Sequence, residues 1–324
     1  MKACVLHAIG DLRYEDVPVP IKKPGEVLVE IKASGICGSD LPRVFEKGTY
    51  HFPTIPGHEF GGLIVEADYK SLIGKKCAVF PLIPCRKCIY CETGNYAQCE
   101  DYNYFGSRCD GGFTEWISVP MWNIVLAPDE LSFEEISMTE PCAVALHSLE
   151  RADFKAGNSV CIFGAGPIGL MIGKWAILKG ASEVTLIDID ERKIAFAEKS
   201  GFRTELTGKA DIVIEGAGVS SSYENAVRAA KPFGTVVLMG NPLKDMTLSQ
   251  NGYWEILRNE LLLKGTWNSS YNANRNDWKT SLMFMKKLDI SCLVSHRFSL
   301  SECNTAFALM KNHSEFFNKV LFVN

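Results

Sequence analysis

The chain has 324 residues, enough for two cores, and its 47% hydrophobic and 22% charged residues are the composition of a folded protein rather than a disordered one. A formal net charge of -4, with no Lys/Arg-rich block, excludes broad electrostatic binding to nucleic acid or anionic membrane. The opening heptapeptide lacks the apolar run of a signal peptide, and the most apolar stretch, 160–172, is broken by Gly164, Gly166 and Gly169, so no membrane span is expected and the expected location is the cytoplasm.

Residues 1 to about 145 read as β-rich. Short apolar segments such as 27–31 and 62–66 lie between Gly and Pro punctuation, as strands of a small barrel or sandwich do. Between them lie Cys37, in Gly-Ile-Cys-Gly-Ser-Asp, and His58 with Glu59, in Gly-His-Glu. Next come Cys85, Cys88, Cys91 and Cys99, spaced x2, x2 and x7. Four thiolates close a tetrahedral zinc shell and leave no position for a substrate, so this site is expected to be structural. Arg86 and Lys87 lie among them and offset part of their charge.

Near Glu140 the texture changes. A helix is expected over 141–150, followed by strands at 159–163, 183–187, 211–215 and 235–238 that alternate with helices reaching 179 and over 191–199 and 223–230. That alternation predicts a doubly wound parallel sheet. Glu140 also completes a second metal set. Cys37, His58, Glu59 and Glu140 offer one thiolate, one imidazole and carboxylates, and so permit a zinc site with an open position. Taken singly, such residues are more often core or hydrogen-bonded; the metal reading rests on the combination beside a dinucleotide site. Glu140, on a helix start, is expected to be the more persistent carboxylate.

The dinucleotide site is Gly164-Ala165-Gly166-Pro167-Ile168-Gly169, placed between a strand and a helix. Asp188 ends the next strand, 19 residues past Gly169, where an acid accepts from ribose hydroxyls and repels a 2′-phosphate. NAD is the expected cofactor, with Arg192 a further candidate contact to it, although Arg192 and Lys193 stand close enough to leave the choice of cofactor open. The tail after Leu293 carries strand-like segments at 294–298 and 319–323 that are expected to return to the first domain.

Together these motifs resemble the zinc-containing medium-chain dehydrogenase family over essentially the whole chain, and within it the polyol and polyol-phosphate branch. Residues 37–45, Gly106-Ser107-Arg108, the Asp110-Gly111-Gly112-Phe113 run, Gly265-Thr266-Trp267 and Glu140-Pro141 carry the likeness. The resemblance implies an α/β protein. A Rossmann domain (146–292) is inserted into a GroES-like catalytic domain (1–145 and 293–324) that bears a structural zinc lobe. It further implies two zinc ions per chain, NAD, assembly as a homodimer or homotetramer, and NAD-linked oxidation of a secondary alcohol of a polyol or polyol phosphate. On that resemblance a bound zinc would acidify the substrate hydroxyl, Ser39 would relay its proton, and the nicotinamide would supply the hydride acceptor.

Ser39 has a second reading, as the cap of a helix beginning near Asp40. Asp40 is a candidate partner orienting His58. Arg43 and Arg108 are available to a substrate phosphate, or are solvated surface charges. His51 receives no role. An unphosphorylated polyol is the rival substrate, and a zinc- and NAD-binding sensor without turnover is the rival outside enzymes. Two departures from the family pattern stand out: a short 62–74 connection followed by Lys76, and a missing helix between Gly201 and Asp211.

Overall fold

The computed structural model describes all 324 residues, Met1–Asn324, which divide into two units, one of Met1–Glu140 with Ser270–Asn324 and one of Pro141–Ser269. In the first unit a seven-stranded sheet runs in the order Val294–Phe298, Lys319–Val323, Glu26–Ile36, Glu59–Ala67, Lys76–Val79, Ile124–Leu126, and Trp116–Pro120 pairs as well with Glu26–Ile36. The long strand Glu26–Ile36 organises it. Val27, Val29 and Ile31 point into a core with Phe60, Ile64, Val79 and Val119, while its other end meets the C-terminal strand. At Gly62 an added Cβ would collide with the Glu30 carbonyl, so the residue is required by close approach of the backbones. Lys76 is accounted for: its ammonium donates to the Asp129 and Leu131 carbonyls, each at 2.7 Å, and lies over the Phe133 ring. The short connection before it passes through a single 3-10 turn, Lys70–Leu72, after which Gly74 donates to the Ile64 carbonyl.

The second unit is a parallel sheet in the order Glu183–Ile187, Ser159–Phe163, Ala210–Glu215, Ala230–Leu238, Leu262–Gly265. Cys161, Val213 and Val236 are fully buried in it, which explains their continuous apolar runs. The stretch from 201 to 209 contains no helix, and what would be a further strand is reduced to a single parallel bridge between Thr185 and Arg203.

The unit boundaries differ from those expected at 145 and 293. The helix Thr139–Arg151 runs through the first, and Trp175 donates its indole N–H to the Cys142 carbonyl, tying the chain beyond Pro141 to the nucleotide unit. The second boundary moves to Ser270 because Tyr271 stacks on Phe80 at 4.4 Å and donates its hydroxyl to the Trp122 carbonyl. Trp278, 1% exposed, then packs edge-on against Phe80, and Lys286 pairs with Glu135 at 2.7 Å. An aromatic cluster made of distant residues, invisible to local pattern, thus carries the helix Asp277–Leu288 into the first unit. No helix is long and apolar enough to cross a membrane.

Candidate active site

Cys37 follows the end of Glu26–Ile36, and His58 and Glu59 sit where the neighbouring antiparallel strand begins, with Gly35 opposite Glu59. That pairing brings three potential ligand atoms, from Cys37, His58 and Glu59, within 4.8 Å of one another. Ligands of a tetrahedral zinc stand roughly 3.3–3.8 Å apart, so the set fits such an ion. The surrounding groups orient it. Asp40, wholly buried, accepts from the Cys37 N–H at 3.0 Å and lies 3.3 Å from His58 Nδ1, which leaves Nε2 for a metal. Despite the cost of its burial, His58, Arg43 and the Cys37 N–H hold the Asp40 carboxyl down to about 2. Ser39 makes no side-chain cap bond at the short helix it precedes. Its hydroxyl donates to Cys37 Sγ at 3.3 Å and accepts from Arg43 at 3.2 Å, so the capping reading fails.

Glu140 is buried nearby but stands outside the three-residue ligand set. Burial raises its carboxyl to about 7, with Glu59 adding to the rise and His58 opposing it. Glu59, the carboxylate expected to be the less persistent, is the one in the ligand set. It is also held by a residue that sequence reasoning missed. Lys319, 3% exposed on the C-terminal strand, donates to Glu59 Oε2 and, at 3.1 Å, to the Ile36 carbonyl. Its ammonium stays charged, against the cost of burial, through Glu59, Cys37 and Glu140. The available signal was a lysine opening an otherwise apolar strand.

In the cysteine lobe all four Sγ atoms lie within 4.8 Å, with Cys88 and Cys91 at 3.5 Å and Cys85 and Cys91 at 3.9 Å. These spacings match the roughly 3.8 Å between sulfurs about a tetrahedral zinc. Arg86, in left-handed backbone, lays its guanidinium over Trp122 at 4.7 Å, and Asn272 donates to the Gly94 carbonyl, so the lobe is fastened to the aromatic cluster.

In the nucleotide unit the three glycines play separate parts. Gly164 has φ 113° and donates to the Ile187 carbonyl, an added Cβ at Gly166 would meet nothing within 4 Å, and one at Gly169 would strike the Gly164 carbonyl. A turn, an open face for a phosphate and a close helix–strand contact follow in that order. Pro167 and Ile168 open the helix Pro167–Leu178. Asp188 accepts from the Ala165 N–H at 2.9 Å, which sets its carboxylate beside the loop. Arg192 is engaged with Asp190. Sequence reasoning also missed Glu215, 1% exposed, whose carboxylate accepts from the N–H groups of Ala217 and Gly218 and from Ser222 Oγ and so pins the loop facing Gly164. An acid ending an apolar strand before Gly-Ala-Gly was the signal.

The candidate phosphate contacts are both occupied. Arg43 donates from one nitrogen to Ser39 Oγ and Asp40 Oδ1, at 3.2 and 2.9 Å, beside the His58 ring. Arg108 is sandwiched between the rings of Tyr50 and Tyr102, at 4.4 and 4.3 Å. His51 bonds the Arg108 and Pro53 carbonyls, in keeping with a loop-holding part.

Residues 23–129 match the alcohol dehydrogenase GroES-like domain and residues 167–287 the zinc-binding dehydrogenase domain. The chain is 36% identical to galactitol 1-phosphate 5-dehydrogenase of Escherichia coli K12 over 92% of each chain. The crystal structure of the galactitol-1-phosphate dehydrogenase from Escherichia coli superposes with a TM-score of 0.91 at 34% identity, covering 100% of both chains. A zinc-binding dehydrogenase from Sinorhizobium meliloti bound to NADP is similar at 28% identity and TM-score 0.91, covering 100% and 99% of the two chains. An alcohol dehydrogenase from Escherichia coli CFT073 complexed with NADH is similar at 26% and 0.90, with the same coverage. With both domain models matched and a relative 36% identical over 92% of each chain, the chain belongs to the zinc-containing alcohol dehydrogenase family of oxidoreductases.

Proposed function

We propose that the protein catalyses reversible, NAD-linked oxidation of a secondary alcohol of a sugar alcohol or its phosphate, of the galactitol-1-phosphate type, to the ketose. The observation that carries this reading is the contrast between the two ligand sets: four thiolates that close a shell, and Cys37, His58 and Glu59, which leave one open. Zinc bound at the open set supplies Lewis acidity that lowers the pKa of a hydroxyl placed there. Cys37, His58 and Glu59 hold it, with Glu140 as the reserve carboxylate, and Asp40 fixes the His58 ring. Ser39 Oγ, hydrogen-bonded between Cys37 and Arg43, takes the substrate's hydroxyl proton toward solvent. A nicotinamide bound in the second unit would supply the acceptor for the hydride that the carbinol carbon gives up. Gly164 to Gly169 would seat the pyrophosphate, and Asp188 would accept from the ribose hydroxyls.

A phosphorylated substrate is supported by the 36% identity to a sugar-alcohol phosphate dehydrogenase. The engagement of Arg43 and Arg108 by protein groups favours a second reading, an unphosphorylated polyol. Assembly as a homodimer or homotetramer, in a reducing cytoplasm suited to twelve free thiols, completes the proposal. NAD reduction measured over a panel of polyols and their monophosphates is the test. A kcat/KM advantage for phosphates supports the first reading, and equal values support the second. Absence of turnover with every secondary alcohol refutes both.

A further inference from the structure

Two cations, Arg192 and Lys193, open the helix Glu191–Lys199 just past Asp188. In a dinucleotide site an acid at this place accepts from a ribose 2′-hydroxyl, whereas a nearby arginine accommodates a 2′-phosphate. The chain holds both kinds of group, so its charges alone leave the choice of cofactor open.

The geometry narrows it. Asp190 is the N-cap of that helix, and its Oδ1 accepts from the backbone N–H of Arg192 at 2.9 Å. The same carboxylate takes the guanidinium in a two-pronged bond, Nε to Oδ1 at 3.1 Å and Nη2 to Oδ2 at 2.9 Å. Lys193 is turned toward Asp188, with Nζ 3.7 Å from Oδ2. Each cation that could meet a 2′-phosphate is thus paired with an acid. An exposed ion pair is ordinarily weak because two long side chains must be ordered to form it. Here one partner is already fixed by its capping bond, and the planar fork of Arg192 matches the carboxylate, so less freedom is lost.

We infer that Asp190 is a cofactor-selectivity residue: by holding the Arg192 fork it withholds a guanidinium from a 2′-phosphate, so that two acids, Asp188 and Asp190, set the preference for NAD. This rests on the reading of the glycine loop as a dinucleotide site. Asp188 repels the phosphate directly. Asp190 acts through Arg192 and adds a second like charge.

The test is direct titration of the zinc-loaded, full-length protein with NADH and NADPH, followed by calorimetry. Asp190→Asn keeps a capping oxygen and removes the charge that binds the fork; Asp190→Ser provides a second cap-preserving variant. Both are expected to tighten NADPH binding relative to NADH on the order of tenfold, from one released guanidinium and one removed like charge. Arg192→Ala is expected to change NADPH affinity by less than about twofold in the otherwise unaltered protein and to abolish the gain in the Asp190→Asn background, a coupling that only interacting residues show. An unmoved NADPH/NADH ratio in both Asp190 variants would overturn the inference. So would a several-fold loss of NADPH affinity from Arg192→Ala alone, because the guanidinium would then already serve the phosphate. Failure of the unaltered protein to bind either dinucleotide would instead overturn the underlying reading of the site.

Discussion

Replacing Lys319 with methionine removes an ammonium from a place where almost nothing else can compensate it. The Lys319 and Glu59 side chains are 3% and 2% exposed, and the lysine also supplies the Ile36 carbonyl with a donor. Methionine keeps the length and apolar stem, so little packing is lost. The cost comes from the Glu59 carboxylate, left buried without its partner, and breaking such a pair from one side costs about 3–5 kcal/mol. At about 2–4 °C per kcal/mol for a unit of about 200 residues such as the first, its melting transition in chelator-treated protein should fall by roughly 6–20 °C. The loss should be smaller in zinc-loaded protein, because the ion's charge lies beside the same carboxylate. Urea denaturation of Lys319→Met, Glu59→Gln and the double variant, all in chelator, completes a thermodynamic cycle with an expected coupling of about 3 kcal/mol. A Lys319→Met variant within about 1 kcal/mol of the parent, or strictly additive substitutions, would refute the claim that the lysine is there to neutralise Glu59.

The protein should carry two zinc ions, one more readily chelated; Cys37→Ser should lose mainly the labile ion together with turnover, whereas Cys91→Ser should lower the unfolding temperature, both read by metal analysis and calorimetry. Loss of the same ion by both variants would contradict the two-site assignment. Gly35→Ala would place a Cβ against Glu59 Oε2 and within 2.8 Å of Lys319 Cε. It should therefore reduce zinc retention and cost about 1–3 kcal/mol of stability as an overpacking change; full zinc occupancy with parental stability would count against the tight packing described. Asp188→Ala should weaken NADH binding more than NADPH binding, because a hydroxyl acceptor and a phosphate repeller leave together. Equal effects in a binding titration would mean that Asp188 does not contact the ribose.

How much of this was legible in the chain depended on how far apart the partners lie. The glycine loop and the cysteine lobe are local, and each residue's spacing implies its task. The strands at 159–163 and 183–187 were readable because burial on both faces leaves continuous apolar runs. Lys319 and Glu59 are separated by 260 positions, and no local rule connects a lysine near the C-terminus with a Gly-His-Glu segment. The return of the chain at Ser270 was missed for a similar reason. Tyr271, Phe80 and Trp122 signal nothing singly, and the contact that decides the boundary exists only once they meet. Arg192 is a different case. Its partner is two residues away, yet a charge on a helix start reads the same whether it faces a ligand or its own N-cap.

The single bridge between Thr185 and Arg203 shows which parts of a nucleotide-binding sheet are expendable. The groups that would handle a dinucleotide all leave the carboxyl ends of the strands Ser159–Phe163, Glu183–Ile187 and Ala210–Glu215. The outermost βα unit lends them no atom, and its trimming shortens the chain without disturbing them. The loop left behind, with Glu205, Thr207, Gly208 and Lys209 exposed, is therefore a natural splice point. A reporter peptide or a small foreign domain inserted there should be carried on the rim of the sheet while the glycine loop, Asp188 and the Glu215 loop keep their arrangement.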